Sequence, residues 1–109
     1  MNWIPLESVN QINQIIERSK EVPCAIFKHS TRCSISSMAK FRLEGDWDLP
    51  QNEIDTYFLD LITYRDISNQ IAESFSVHHE SPQLLLIKNG ECVYDSSHLD
   101  ITVDELKEG

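Results

Sequence analysis

Segments with helical and strand patterning alternate along this chain, which predicts an α/β fold: a four-stranded mixed sheet with helices on both faces. Three observations carry that expectation. Amphipathic stretches of helical period alternate with short apolar runs. Two of those runs, 23–28 and 83–88, are too short for helices. The dipeptide Asn89-Gly90, set between apolar segments, marks a tight hairpin.

The elements follow in order. Ser8 is placed to cap a first helix in which Val9, Ile12, Ile15 and Ile16 recur at helical spacing, ending near Arg18-Ser19-Lys20-Glu21. Pro23-Cys24-Ala25-Ile26-Phe27-Lys28 reads as the first strand. After a turn at Cys33 comes a second helix carrying Ile35, Met38, Ala39 and Leu43 inward, with Gly45 placed to stop it. The segment 45–52 is polar, acidic and broken by Gly and Pro, and reads as a linker. A second strand spans 54–62, partly alternating and rich in aromatic residues. Thr63-x-x-Asp66 has the form of a capping box, and Ile67, Ile71, Ala72 and Phe75 follow on one helical face. Strands at 83–88 and 91–95 flank a type I′ turn at Asn89-Gly90, and a short helix from Thr102 through Val103 and Leu106 ends the chain. The crossover between the first two strands is expected to be right-handed.

Composition narrows the function. The 109 residues suit one domain, 1–109, with one sheet and a few helices. Nine Lys and Arg against eighteen Asp and Glu give a formal charge of −9. That balance repels phosphate backbones and anionic bilayers, so neither a nucleic acid nor a membrane is expected as partner. No basic leader precedes an apolar run at the N-terminus, and no stretch approaches the ~20 apolar residues of a spanning helix. Three cysteines, at 24, 33 and 92, make neither a secreted disulfide framework nor a zinc spacing. A reducing compartment, the cytoplasm, is the expected location.

Cys33 is the candidate nucleophile. It follows an apolar strand and opens a helix, where free backbone N–H groups and the positive end of the macrodipole stabilise a thiolate. Three positions on stands Ser36, not a second cysteine, so an adduct on Cys33 needs an outside thiol to resolve it. Arg32 is read either as adding positive potential beside the sulfur or as a solvated loop residue, and Ser36 either as a donor to the thiolate or as a helix-start residue. His29 is near enough in sequence to act on Cys33 as base or charge, or to be structural. Cys24 and Cys92 fall on strands that are not expected to be neighbours and read as packing residues. The histidines at 29, 78, 79 and 98 complete no metal-ligand spacing, so no metal is expected. An exposed Trp3 or Trp47 would mark a contact surface.

The element order, with a cysteine after the first strand and Ser81-Pro82 immediately before the third, resembles the thioredoxin fold over nearly the whole chain. That resemblance implies a cis Pro82 bordering the site. Phe27-Lys28-His29-Ser30-Thr31-Arg32-Cys33-Ser34-Ile35-Ser36, with His79-Glu80-Ser81-Pro82-Gln83 and Tyr64–Ala72, is similar to the bacillithiol-linked YtxJ family of monothiol bacilliredoxins. Those proteins typically carry a Thr-Cys-Pro-Ile-Ser type of motif. Here Ser34 stands where the family often has proline, and Arg32 lies between Thr31 and Cys33.

The resemblance implies a thiol–disulfide oxidoreductase that removes bacillithiol from mixed disulfides on client proteins. Cys33 would be its catalytic residue, and Thr31, Arg32, Ser34, Ser36, Ser81 and Pro82 its substrate contacts. No cofactor would be bound; bacillithiol would serve as co-substrate and S-bacillithiolated proteins as partners. Two other readings stand beside it. One is an adaptor with an incidental cysteine; the other is an iron–sulfur carrier of the monothiol glutaredoxin type, whose Cys-Gly-Phe-Ser is here Cys33-Ser34-Ile35-Ser36.

Overall fold

The computed structural model describes residues 2–50 and 53–108, less the side chains of Leu99 and Glu108. Its strands are β1 (Trp3–Pro5), β2 (Cys24–His29), β3 (Asp55–Asp60), β4 (Gln83–Lys88) and β5 (Glu91–Ser97). Its helices are α1 (Asn10–Arg18), α2 (Ser34–Asp46), α3 (Arg65–Ser74) and α4 (Val103–Glu108), with a 3-10 turn at His98–Asp100. The sheet order is β1-β3-β2-β4-β5. β1 and β2 run parallel to β3, while β4 is antiparallel to β2 and β5 to β4.

The sheet is mixed, as expected, but has five strands rather than four. The additional strand, Trp3–Pro5, is three residues long and ends in proline, which gives it no alternation to read. It sits at the sheet edge, paired only with β3, where a proline is tolerated.

Alternation along β2 divides the core. Cys24 and Ile26 pack with Ile12 and Ile15 of α1 and Ile67 and Ile71 of α3. Ala25 and Phe27 pack on the other face with Ala39 and Leu43 of α2 and Val103 and Leu106 of α4. The helices therefore cover both faces. Burial continues through the end of β2, so that Lys28 and His29 are both interior.

Several local expectations are corrected. Ser8 does not cap α1 with its side chain; Gln11 Oε1 instead accepts the Glu7 and Ser8 N–H groups at 2.7 and 3.0 Å. Gly45 does not stop α2, which runs on to Asp46, and of the linker 45–52 Gln51 and Asn52 lie outside the described residues. Met38 and Ile35 are exposed rather than inward, because Ser36, Ala39 and Leu43 form the buried face of α2. Thr63 caps nothing: Asp60 Oδ1 accepts the Ile62 and Thr63 N–H groups, and Asp60 Oδ2 accepts the Thr63 hydroxyl. Trp3 is half-buried, stacked on Phe27 with its indole N–H donating to Glu44, and Trp47 packs partly buried on the α2 side.

The hairpin forms as expected. Asn89 and Gly90 both take positive φ, 53° and 78°. Their N–H groups donate to Ser19 O at 2.9 Å and Ser19 Oγ at 2.8 Å, which ties the hairpin to the end of α1.

Candidate active site

The C-terminal end of β2 builds the site. Backbone pairing sets Lys28 opposite Gln83, so the segment leading into Pro82 runs beside the end of β2 from which the Cys33 turn departs. The Ser81–Pro82 peptide is cis. The turn closes with the Cys33 N–H on Ser30 O at 3.2 Å. Cys33 is the N-cap of α2, extended at φ −114° and ψ 119°, and is half-buried. Its sulfur therefore belongs to a residue at the positive end of a 13-residue helix.

Strand alternation turns the last two residues of β2 to opposite faces. His29 faces α2: its Nδ1 lies 2.6 Å from Ser36 Oγ, which also accepts the Ser30 N–H at 3.0 Å. The imidazole stacks on Phe27 and tilts against Phe58. Burial, aided by the Lys40 cation and opposed by Asp60, holds His29 below the ordinary histidine value. Lys28 faces α3: its Nζ donates to Ser68 O at 3.1 Å and meets His79 Nδ1 at 3.2 Å. No part of Lys28 is exposed, and burial pushes its ammonium down to about 8.

The expected site residues separate into two groups. Thr31, Arg32 and Ser34 are exposed around Cys33, and Ser81 is partly exposed on the facing loop. Ser36 and Pro82 are buried. Ser36, read as a substrate contact, has no exposed surface: its hydroxyl is committed to the strand end, where it fixes the turn that carries Cys33. Pro82 contributes its carbonyl internally, accepting the His98 N–H at 3.1 Å.

Nothing in the sequence signals that Lys28, Ser68 and His79 meet. A lysine ending an apolar strand normally snorkels to water, and only the contact across to α3 makes this one interior. Met38 and Phe41, 61% and 80% exposed, form an apolar surface on the same helix that Cys33 caps. Among the described residues no group of three or more His, Cys, Asp and Glu is placed to hold a metal ion. No helix among them is long and apolar enough to cross a membrane.

The other two thiols are remote from Cys33. Cys24 opens β2 and pairs with Ile87, which pairs in turn with Cys92, so both sit at the far end of the sheet. The five residue steps from Cys24 to His29 alone span about 16 Å. All three cysteines are free. Burial drives the Cys24 thiol up to about 12 and raises that of Cys92.

A family model described as monothiol bacilliredoxin BrxC matches residues 4–106. One solved structure with a thioredoxin fold is 37% identical, with a TM-score of 0.82, over 96% of this chain and 90% of that one. Thioredoxin of Malassezia sympodialis is 20% identical, with a TM-score of 0.73, over 98% of this chain and 86% of that chain. Thioredoxin of Trypanosoma brucei brucei is 12% identical, with a TM-score of 0.72, over 98% and 89%. The last two establish likeness of fold alone.

Proposed function

Since the chain belongs to the monothiol bacilliredoxin family, oxidoreductases of thioredoxin fold, we propose that it removes bacillithiol from mixed disulfides on client proteins in the cytoplasm, with Cys33 as nucleophile. The observation that carries this reading is the isolation of Cys33: a partly exposed thiol at a helix start, with both other thiols at the opposite end of the sheet. Such a site can take up an adduct and cannot clear it internally, which is the behaviour of a monothiol carrier.

In the first step the Cys33 thiolate attacks the bacillithiol sulfur of the client mixed disulfide. A bond forms between Cys33 Sγ and that sulfur, the original S–S bond breaks, and its electron pair leaves on the client thiolate. In the second step a bacillithiol thiolate attacks the adduct, releasing Cys33 and bacillithiol disulfide. Thr31, Arg32 and Ser34 would border the incoming small thiol. The backbone around Ser81-Pro82 would pair with an extended segment of the client.

The test is intact-mass analysis of the reduced protein mixed with a client carrying bacillithiol, with Cys33→Ser and a glutathione-bearing client as comparisons. Movement of the bacillithiol mass to Cys33, in preference to glutathione, supports the reading. Transfer by Cys33→Ser at the normal rate assigns the wrong sulfur, and no transfer from either client makes the protein an adaptor.

A further inference from the structure

The loop that leads into Pro82 is fastened from inside the protein. Gln83, fully buried, holds two backbone atoms of that loop: its Nε2 donates to His78 O at 3.0 Å and its Oε1 accepts the Glu80 N–H at 3.4 Å. Between those two atoms projects His79. Its Nδ1 lies 3.2 Å from Lys28 Nζ and 3.3 Å from Ser68 Oγ. An ammonium has only donors, so Nδ1 must accept and His79 carries its proton on Nε2. One buried cation on β2 thus connects the loop to the Ser68 carbonyl of α3.

We propose that buried Lys28 and half-buried His79 form a latch that positions loop 78–81 for the client segment beside Cys33, and that protonation of His79 releases it. The client's role in this statement rests on the exchange reaction proposed above; the latch itself does not.

The chemistry of release is direct. A proton on Nδ1 removes the acceptor and sets two cations about 3 Å apart, the ammonium of the pair being fully buried. The groups facing His79 come from every side. Lys28 on β2, Arg65 on α3 and His78 in the loop oppose its protonation, as burial does; Glu80 in the loop favours it; Ser68 on α3 and Gln83 on β4 are neutral. Near neutral pH the balance leaves the imidazole uncharged and the latch closed.

Three variants test the proposal. Lys28→Met fills similar space without a donor, removing the buried ammonium together with its bonds to Ser68 O and His79 Nδ1. In it, amide protection of residues 79–81 is expected to fall roughly tenfold, with β2 and β4 protected as before. Exchange with a protein mixed disulfide slows by a similar factor through KM, whereas alkylation of Cys33 by iodoacetamide, which needs no loop, stays within about twofold. His79→Gln keeps an acceptor for Lys28 and takes no proton. Its loop protection factors should hold from pH 7 to 5 while those of the wild type fall. His79→Leu, which leaves Lys28 without the acceptor, should lose protection at every pH.

Unchanged protection of 79–81 in Lys28→Met overturns the latch. Equal slowing of alkylation and exchange overturns the positioning role, since the effect would then lie on the sulfur. A wild type that keeps its protection at pH 5 overturns release by acid. If the wild type moves no bacillithiol but Lys28→Met still loosens the loop, the substrate reading falls and the latch stands.

Discussion

Ser36 Oγ stands 2.6 Å from His29 Nδ1 and accepts the Ser30 N–H at 3.0 Å, so one buried hydroxyl ties α2 to the end of β2 around the turn that carries Cys33. Ser36→Ala leaves a backbone N–H and a ring nitrogen unsatisfied in the interior. The expected cost is about 1–3 kcal/mol, with the loss concentrated in a looser 30–33 turn. Urea denaturation of the variant measures it. A change below about 0.3 kcal/mol would mean that water or a neighbour takes over both bonds, and that the hydroxyl does not secure the turn.

Acid should destabilise the fold through buried His29 and half-buried His79. Burial lowers both His29 and His79, so the folded state resists a proton that the unfolded chain accepts at the ordinary value near 6.5. Their contribution is full above that value and is lost as pH falls from it through the lower folded values. His29→Asn offers Ser36 an acceptor that does not titrate in this range. Its loss of unfolding free energy between pH 7.5 and 5 should be smaller than the wild type's by on the order of 1 kcal/mol. Parallel pH curves for the two proteins would show that His29 is not held neutral by its site.

The hairpin tie rests on a conformation that only glycine adopts without strain. Gly90 has φ +78°, and a Cβ there would lie 3.3 Å from Ile16 Cγ2, on a side chain packed against the core. Gly90→Ala therefore meets both backbone strain and a close contact, and should cost about 1–2 kcal/mol. Thermal denaturation reads the effect. A neutral result would require α1 to shift away from the hairpin, which loss of the Gly90 N–H bond to Ser19 would reveal in amide exchange.

How much of this was legible in the sequence depended on whether a residue's role is local. The Asn89-Gly90 turn and the Cys33 helix start are set by nearest neighbours, and both were readable. The inward face of α2 was read correctly at Ala39 and Leu43 and misread at Ile35 and Met38, because the sequence puts these two and Phe41 on the solvent side and a serine on the buried one. Hydrophobicity then points the wrong way, and only the contact between Ser36 and His29 explains the inversion. Lys28 was invisible for a related reason: its partners Ser68 and His79 lie 40 and 51 positions away, and no spacing rule links them. β1 was too short to carry a period at all.

Thiol accessibility should rank the cysteines sharply. Cys24 is fully buried with its thiol raised to about 12, and Cys92 is half-buried with its thiol raised as well. Iodoacetamide at pH 8 should therefore add one label to the native protein, on Cys33, with Cys24 labelled only after denaturation. Peptide mapping by mass spectrometry identifies the site. Early labelling of Cys24 would mean that β2 opens readily in the native state.

The same separation governs the lifetime of an adduct on Cys33. Cys24 and Cys92 lie beyond one strand length from the Cys33 turn, about 16 Å away, whereas a disulfide needs Cα atoms within roughly 7 Å. Neither can attack a mixed disulfide at Cys33 without unfolding of the sheet between them. A small-thiol adduct formed on purified protein should then persist once excess thiol is removed. Its lifetime should be the same, within about twofold, in the Cys24→Ser/Cys92→Ser double variant. Addition of fresh thiol should clear both at equal rates. A wild-type adduct that decays faster than that of the double variant, with an internal disulfide appearing in its peptide map, would show that one of the two remote thiols reaches Cys33 and that the site does not work by a single cysteine.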